Sequence, residues 1–408
     1  MNVLFVFLSL LFTLWQSKLT TADEQQIPIQ LNHHRSFLRP FTTEWVRVLE
    51  QFYNALGGHS KASYKGGDDG CPVPLPSFDC ETFYWDNAHL PSRDAQHLRP
   101  HDIKAVIALG DSITAGFGML SGRPPFASVW EYRGKVFSVG NDPNEYTIPN
   151  FLNVYSTHQG GPHGVTLPMS RGKDLDNAIS GAKTQDLDGE VTRLVHLLNS
   201  DHHYQPIKDE WKLITLFIGA NNICVLCDPP VTRLPLLAQA DEFENDVRNA
   251  LVRLKKEVPK SFVNLVALFN VSAVYEAAQG DPYCEFVWNP LHFSICSCVQ
   301  NDEEQRRAAD NMVFEYNQRL QKLAANESYS DKEFQVVYQP GFAELPIAKY
   351  KQGYLSGIDC FHPNKCANQV FSMILWNNMF STPEEKLIPL NFDSPEFICP
   401  GPDRPYLQ

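Results

Sequence analysis

Three residue types in this chain together make an activated nucleophile: Ser112, His362 and Asp359. Ser112 lies in residues 104–118, which read Lys-Ala-Val-Ile-Ala-Leu-Gly-Asp-Ser-Ile-Thr-Ala-Gly-Phe-Gly. Asp359 and His362 share residues 357–364, Gly-Ile-Asp-Cys-Phe-His-Pro-Asn. A serine needs a base to take its proton, and the imidazole needs an acceptor to fix its tautomer and stabilise its cation. An Asp three residues ahead of a His supplies both once the loop bends. Two further stretches carry donors for the oxyanion that such an attack creates. Gly181, in residues 174–186, falls between a strand-like piece and a helix, where a backbone N–H can approach a substrate closely. Asn221 ends Phe-Ile-Gly-Ala-Asn, and its uncharged amide donates without needing a proton of its own. Each stretch alone has a plainer reading: Gly-Asp-Ser as a helix cap, Gly181 and Asn221 as turns, Asp359 and His362 as surface residues. The combination points to acyl transfer.

The elements around these residues place them at one end of a sheet. Residues 105–109 are an unbroken apolar run, as expected of a strand buried on both faces, and Gly110 ends it. A serine just beyond stands beside unpaired N–H groups and the positive end of a helix dipole. Residues 212–218, 262–269 and 334–338 predict further strands, with a short strand-like piece at 174–179. Helical periods at 42–56, 184–199, 241–258, 302–325 and 363–380 separate them, the last with Pro363 in its first turn and the first capped by Thr43. Strands alternating with helices predict an α/β fold: a three-layer α/β/α sandwich around a mostly parallel sheet, of flavodoxin-like layout. Ligands in such sheets bind at the carboxyl ends of the strands, where Ser112 falls.

Composition narrows the classes. The chain has 408 residues, 43% hydrophobic and 20% charged, enough for one large core. A net charge of −13 leaves no basic stripe to neutralise phosphates, which argues against nucleic acid as a partner. The apolar run at residues 3–15, with Thr20-Thr21-Ala22 behind it, predicts a signal peptide over residues 1–22, although a basic start is missing. Residues 23–95 then read as an arm, a helix and a Gly/Pro-rich loop packed on the core, 96–400 as the catalytic domain and 401–408 as a tail. No later apolar stretch reaches the ~20 residues a membrane span needs, so no transmembrane anchor is expected. Ten cysteines suit an oxidising, extracellular destination and predict disulfides. The pairing is open, except that Cys360 and Cys366 flank the His362 turn and are the expected pair to brace it. Cys224, Cys227, Cys296 and Cys298 have a spacing that zinc also uses, but no histidine pair accompanies them; no metal or other cofactor is expected. Asn270-Val-Ser and Asn326-Glu-Ser are candidate glycosylation sites, Asn270 following an apolar run that suggests partial burial.

The four stretches in this order resemble the SGNH (Gly-Asp-Ser-Leu type) hydrolase superfamily, whose blocks carry Ser, Gly, Asn and Asp-x-x-His. Here they match Ser112, Gly181, Asn221 and the Asp359/His362 pair. Within it, Leu-Gly-Asp-Ser-Ile-Thr-Ala-Gly-Phe-Gly, Phe-Ile-Gly-Ala-Asn-Asn-Ile-Cys and Gly-Ile-Asp-Cys-Phe-His-Pro resemble the phospholipase B group, over most of residues 36–400. The resemblance implies Ser112 as nucleophile, His362 as base and then acid, and Asp359 as its orienter. It implies an oxyanion hole from the N–H groups of Ser112 and Gly181 and the Asn221 amide, with no metal. Two departures stand out. Asn222 replaces the acid that usually follows the block Asn, and neither the repeated domains nor the membrane span of the large mammalian members is evident. The implied activity is a secreted phospholipase B-like hydrolase acting on glycerophospholipid or lysophospholipid esters, with transient contact to a lipid surface. The alternatives are an esterase of the same fold on other lipid or carbohydrate esters, and a silent binding protein. Phe117, Phe126, Trp130 and Tyr132 are either an acyl groove or core.

Overall fold

The apolar runs become neighbouring parallel strands. The computed structural model describes residues 71–81, 94–123, 127–168, 170, 174–227, 236–289, 295–300 and 302–408. All of them lie in the compact unit Ala62–Gln408. The expected signal peptide, the helix at 42–56 and Phe126 lie outside the described residues. Strands β1 (Ile103–Gly110), β2 (Trp211–Phe217), β3 (Ser261–Val266) and β4 (Phe334–Gln339) pair in that order, every pair parallel. β2 and β3 are buried at every position, Lys212, Thr215, Ser261 and Asn264 included, as the central strands of a parallel sheet are. β4 leaves Gln335, Val337 and Tyr338 partly exposed, as an edge strand does.

The strand-like piece at 174–179 lies along the free edge of β1. Ala108 N–H donates to Leu175 O (3.2 Å), Asn177 N–H to Ala108 O (2.8 Å) and Ile179 N–H to Gly110 O (3.0 Å). Only one bridge, Ala108 to Asp176, is regular, so the piece is a ladder rather than a full strand. Counted as the second strand, it gives the order 2-1-3-4-5, with the switch point beside β1, as the flavodoxin-like expectation required.

The helices among the described residues are α1 (Ser112–Ala115), α2 (Ile148–Leu152), α3 (Leu187–Ser200), α4 (Ala220–Cys224), α5 (Leu236–Glu257), α6 (Val271–Ala278), α7 (Pro282–Val287), α8 (Ser297–Gln300), α9 (Glu303–Ala324) and α10 (Lys365–Met379). α3, α5 and α9 pack side by side as one layer, with Phe243 of α5 stacked on Tyr316 of α9 at 3.9 Å between ring centres. α10 packs on α2 and β4 in the other layer, where Phe137, Phe217, Phe342 and Phe371 interlock. α10 starts later than the sequence suggests. Asn364 caps it, its Oδ1 accepting from Ala367 N–H (3.1 Å), so Pro363 stands before the helix rather than in its first turn.

All ten cysteines pair: Cys71–Cys366, Cys80–Cys399, Cys224–Cys296, Cys227–Cys298 and Cys284–Cys360. The expected Cys360–Cys366 bridge is therefore wrong. The cap at Asn364 carries Cys366 into the first turn of α10, against the loop of Cys71, while Cys360 stays on the far side of His362 and meets α7. The four cysteines with zinc-like spacing instead staple the end of α4 to the segment around α8.

Candidate active site

Ser112 is the first residue of α1, directly after β1. Asp111 caps the helix, its Oδ1 accepting from Ile113 N–H (2.9 Å), in a wholly buried position. Burial pushes the Asp111 carboxyl up to about 6, against the opposing pull of the Ile113 N–H and of nearby His362. Gly110 has no alternative, because a Cβ there would lie 2.3 Å from Phe217 O on β2. Ser112 itself is 6% exposed. Its hydroxyl lies 2.7 Å from His362 Nε2.

His362 Nδ1 lies 2.6 Å from Asp359 Oδ2, completing a continuous Ser–His–Asp relay. Asp359 Oδ1 also accepts from the N–H groups of Phe361 (2.9 Å) and His362 (3.0 Å), which curls the loop so that acid and base meet. Burial pushes the Asp359 carboxyl up, but His362 and these N–H groups outweigh it and hold the carboxyl below its ordinary value. Asp359 therefore stays an acceptor. The loop is gripped from several sides. Tyr283 Oη donates to Ile358 O (2.7 Å), Trp288 Nε1 to Cys360 O (2.9 Å) and Ser356 Oγ to Gly118 O (2.6 Å). The Cys284–Cys360 bridge joins it to α7. Phe117 is half-buried with its ring centre 4.8 Å from that of His362; Trp130 and Tyr132 are half-buried too, so none of the three is enclosed core.

The third side consists of donors. Gly181 takes φ +83°, which strains other residues, and a Cβ there would meet nothing within 4 Å, so open space faces it. Neither Ser112 N–H nor Gly181 N–H is hydrogen-bonded to a described residue. Asn221, in the first turn of α4 beyond β2, donates one Nδ2 hydrogen to Ala182 O (2.9 Å), which leaves the other for a ligand. Asn222 accepts from Thr184 N–H through Oδ1 (3.1 Å) and donates to Thr184 Oγ1 through Nδ2 (3.1 Å). Thr184 Oγ1 in turn donates to Asp246 Oδ2 (2.8 Å). The two asparagines together fasten residues 182–184. With Asp246 already accepting from Thr184, an amide at 222 completes a chain of donors and acceptors that a second carboxylate would not.

The sequence reading passed over one cluster beside this side. Glu131, Arg133 and Asp176 are wholly buried, with Arg133 Nη2 2.7 Å from Glu131 Oε2 and Nη1 in ion-pair contact with Asp176 Oδ2 at 2.8 Å, though not aligned as a hydrogen bond. Burial pushes the Asp176 carboxyl up to about 7 against the pull of Arg133. The only sequence signal was Glu131-Tyr-Arg133 among aromatics, which an exposed pair would give equally well. Among the described residues no cluster of His, Cys, Asp and Glu has the arrangement of a metal site, and no helix is long and apolar enough to cross a membrane.

The family model described as GDSL-like lipase/acylhydrolase matches residues 106–375, more than half of the chain and every residue of the relay and donor sides. The chain is 28% identical to membrane-associated phospholipase B1 of Homo sapiens over 425 residues, covering 98% of this chain and 27% of that protein. It is 30% identical to the Mus musculus protein of the same name over 359 residues, covering 84% and 23%. The chain thus spans about a quarter of the length of these curated relatives. Among solved structures, phospholipase A1 from Streptomyces albidoflavus matches with a TM-score of 0.35 and 15% identity, over 67% of this chain and 98% of that one.

Proposed function

The chain belongs to the GDSL-like lipase/acylhydrolase family and is a carboxylic ester hydrolase; from that premise we propose that it is a secreted phospholipase B-like enzyme. It releases fatty acids from glycerophospholipids and lysophospholipids through an acyl-enzyme on Ser112. The observation that carries the chemistry is the unbroken relay of Ser112 Oγ, His362 Nε2 and Nδ1, and Asp359 Oδ2 at 2.7 and 2.6 Å. The phospholipid substrate is supported by the curated relatives and by the half-buried Phe117 against His362.

In this mechanism Ser112 Oγ attacks the ester carbonyl as its proton passes to His362 Nε2. Asp359 Oδ2 accepts the Nδ1 hydrogen and stabilises the imidazolium. The tetrahedral oxyanion is held by Ser112 N–H, Gly181 N–H and the second Nδ2 hydrogen of Asn221. His362 returns its proton to the leaving alcohol. Water then enters, loses a proton to His362 and attacks the acyl carbon; the bond to Ser112 Oγ breaks, Oγ takes back the proton from His362, and the fatty acid leaves. Secretion is supported by five disulfides and the apolar run within residues 1–22, and the catalytic domain spans residues 96–400. Asn270 and Asn326 are both exposed, which fits glycan attachment better than the partial burial expected of Asn270.

The test is fatty-acid release by wild type and Ser112→Ala from phosphatidylcholine, lysophosphatidylcholine, triolein and p-nitrophenyl butyrate in parallel. Ser112-dependent hydrolysis of both phospholipids is expected, with a loss of about 10³-fold or more in the variant. Cleavage of the nitrophenyl ester alone would move the natural substrate elsewhere, and equal rates for the two proteins would remove Ser112 from the chemistry.

A further inference from the structure

The buried charges beside β1 connect the two backbone donors of the oxyanion hole. Glu131 Oε1 accepts from Ser180 Oγ at 2.5 Å, and Ser180 immediately precedes Gly181. The other carboxylate oxygen, Oε2, is held by Arg133 through Nη2 (2.7 Å) and Nε (3.1 Å) and by Thr166 Oγ1 (3.2 Å). Arg133 also donates from Nη2 to Ala178 O (3.0 Å), two residues before Ser180. The backbone around Glu131 is fastened to the serine's side of the site. Residue 131 bridges Phe117, and Tyr132 N–H donates to Gly116 O (2.9 Å), the residue that ends α1. One end of this brace therefore grips the helix that begins with Ser112, and the other grips the turn that carries Gly181.

We propose that Glu131, acting through Ser180, is a positioning residue that sets the Gly181 N–H relative to the Ser112 N–H. The inference rests on the hydrolase reading for its catalytic consequence, but the brace itself does not.

The physical case is one of cost and rigidity. Gly181 sits at a positive φ, and among the described residues nothing packs against its open face; the Asn221 bond to Ala182 O restrains only the side that follows it. Donors that stabilise an oxyanion contribute most when they are fixed before the charge develops. A carboxylate hydrogen-bonded to a hydroxyl supplies a short, directional restraint, and burial of the Glu131 carboxylate limits competition from water at its end of the bond. Burying Glu131, Arg133 and Asp176 is expensive, and a structural role alone would be filled as well by apolar side chains of similar volume. Aiming one carboxylate oxygen at the residue before a donor is the feature that apolar packing could not reproduce.

The experiment compares Ser180→Ala and Ser180→Thr with wild type. Ser180 is only half-buried, so removing its hydroxyl leaves the fold intact. Steady-state kinetics on p-nitrophenyl butyrate should show kcat lower by about tenfold in Ser180→Ala with KM within about twofold, because a loosened donor is felt in the transition state and not in ground-state binding. Ser180→Thr keeps the hydroxyl and should recover most of the loss. Hydrogen–deuterium exchange at the amides of residues 177–182 should be several-fold faster in Ser180→Ala alone. An unchanged kcat in an active wild-type background, or unchanged exchange, overturns the proposal. Failure of the hydrolase reading looks different: wild type would be no faster than Ser112→Ala, and the exchange result would still decide whether the brace holds Gly181.

Discussion

The two walls of the site are built by opposite means. The donor wall stands at the ends of sheet elements: the backbone N–H groups of Ser112 after β1 and Gly181 after the ladder at 174–179, and the side-chain amide of Asn221 after β2, itself tied to Ala182 O. Parallel pairing fixes the ends of β1 and β2 relative to one another, and the Glu131–Ser180 contact adds to the ladder's hold on the Gly181 turn. The relay wall is an irregular loop, 356–364, that no sheet element holds. It is fixed by Tyr283 and Trp288 donating to its carbonyls, by its own Ser356 donating to Gly118 O and by a disulfide to α7. The difference follows from the tasks proposed for the two walls. An oxyanion donor only has to be present at the right point. A base has to present one ring nitrogen to Ser112 and the other to an acceptor, which needs the orientation of a whole side chain fixed as well.

The largest effect should come from disturbing orientation without disturbing position. Asp359→Asn keeps Oδ1 for the Phe361 and His362 N–H groups but sets an amide NH2 against His362 Nδ1. That favours the tautomer with hydrogen on Nε2, which cannot take the Ser112 proton. kcat should fall by about 10³–10⁴-fold with the thermal unfolding midpoint little changed. A loss under about tenfold would show that the relay wall needs less side-chain precision than the comparison claims.

The covalent brace should give a smaller, selective effect. Removing Cys284–Cys360 by Ala at both positions frees one support of the relay loop while Tyr283, Trp288 and Ser356 remain. Removing Cys80–Cys399, which holds a chain terminus, is the control. Each double variant should lose about 2–5 kcal/mol of stability. Only the first should also lose kcat, by about tenfold, on the scale expected when a catalytic group drifts from its attack geometry. Equal kcat losses in the two would mean that the disulfides stabilise the whole unit and that the relay loop has no special dependence on its own bridge.

These walls also differed in how readily the sequence disclosed them. The donor wall was legible because β-rich apolar runs predict buried strands and the residues that end them are fixed by chain order: residues 105–109 and 212–218 became β1 and β2 to within two residues at either end. Asp359 and His362 were legible as a pair, since a three-residue spacing lets one loop join them. The supports of that loop were not. Tyr283, Trp288 and Cys284 come from some 75 residues upstream, and nothing local marks a side chain that will bond a distant carbonyl. The same limit produced the wrong Cys360–Cys366 pairing: proximity along the chain suggested it, and the helix cap at Asn364 separated the two. Glu131 and Arg133 were hidden for another reason, because charged residues in sequence read as surface until the fold buries them together.

The smallest effect lies on the donor wall, at the buried carboxyl of Asp111. Its Oδ1 caps α1, but Oδ2 is buried with no hydrogen-bond partner among the described residues, and burial raises the carboxyl to about 6. In the unfolded chain an Asp titrates near ~3.9. The folded value is the higher one, so the stability linked to this group is fully present below about 3.9 and is lost as pH rises through about 6. Asp111→Asn keeps an acceptor for Ile113 N–H and carries no charge at any pH. The unpaired amide it introduces costs the same at every pH, so the titration is isolated in the difference between variant and wild type. That difference in unfolding free energy should shift in favour of the variant by about 1–3 kcal/mol between pH 4 and pH 7 and then stay level. Activity should move the other way. The Asp111 carboxylate lies close enough to His362 to favour the imidazolium that forms as Ser112 attacks, so kcat should fall several-fold in the variant. A stability difference that is flat across pH would mean that Asp111 is not charged at a cost.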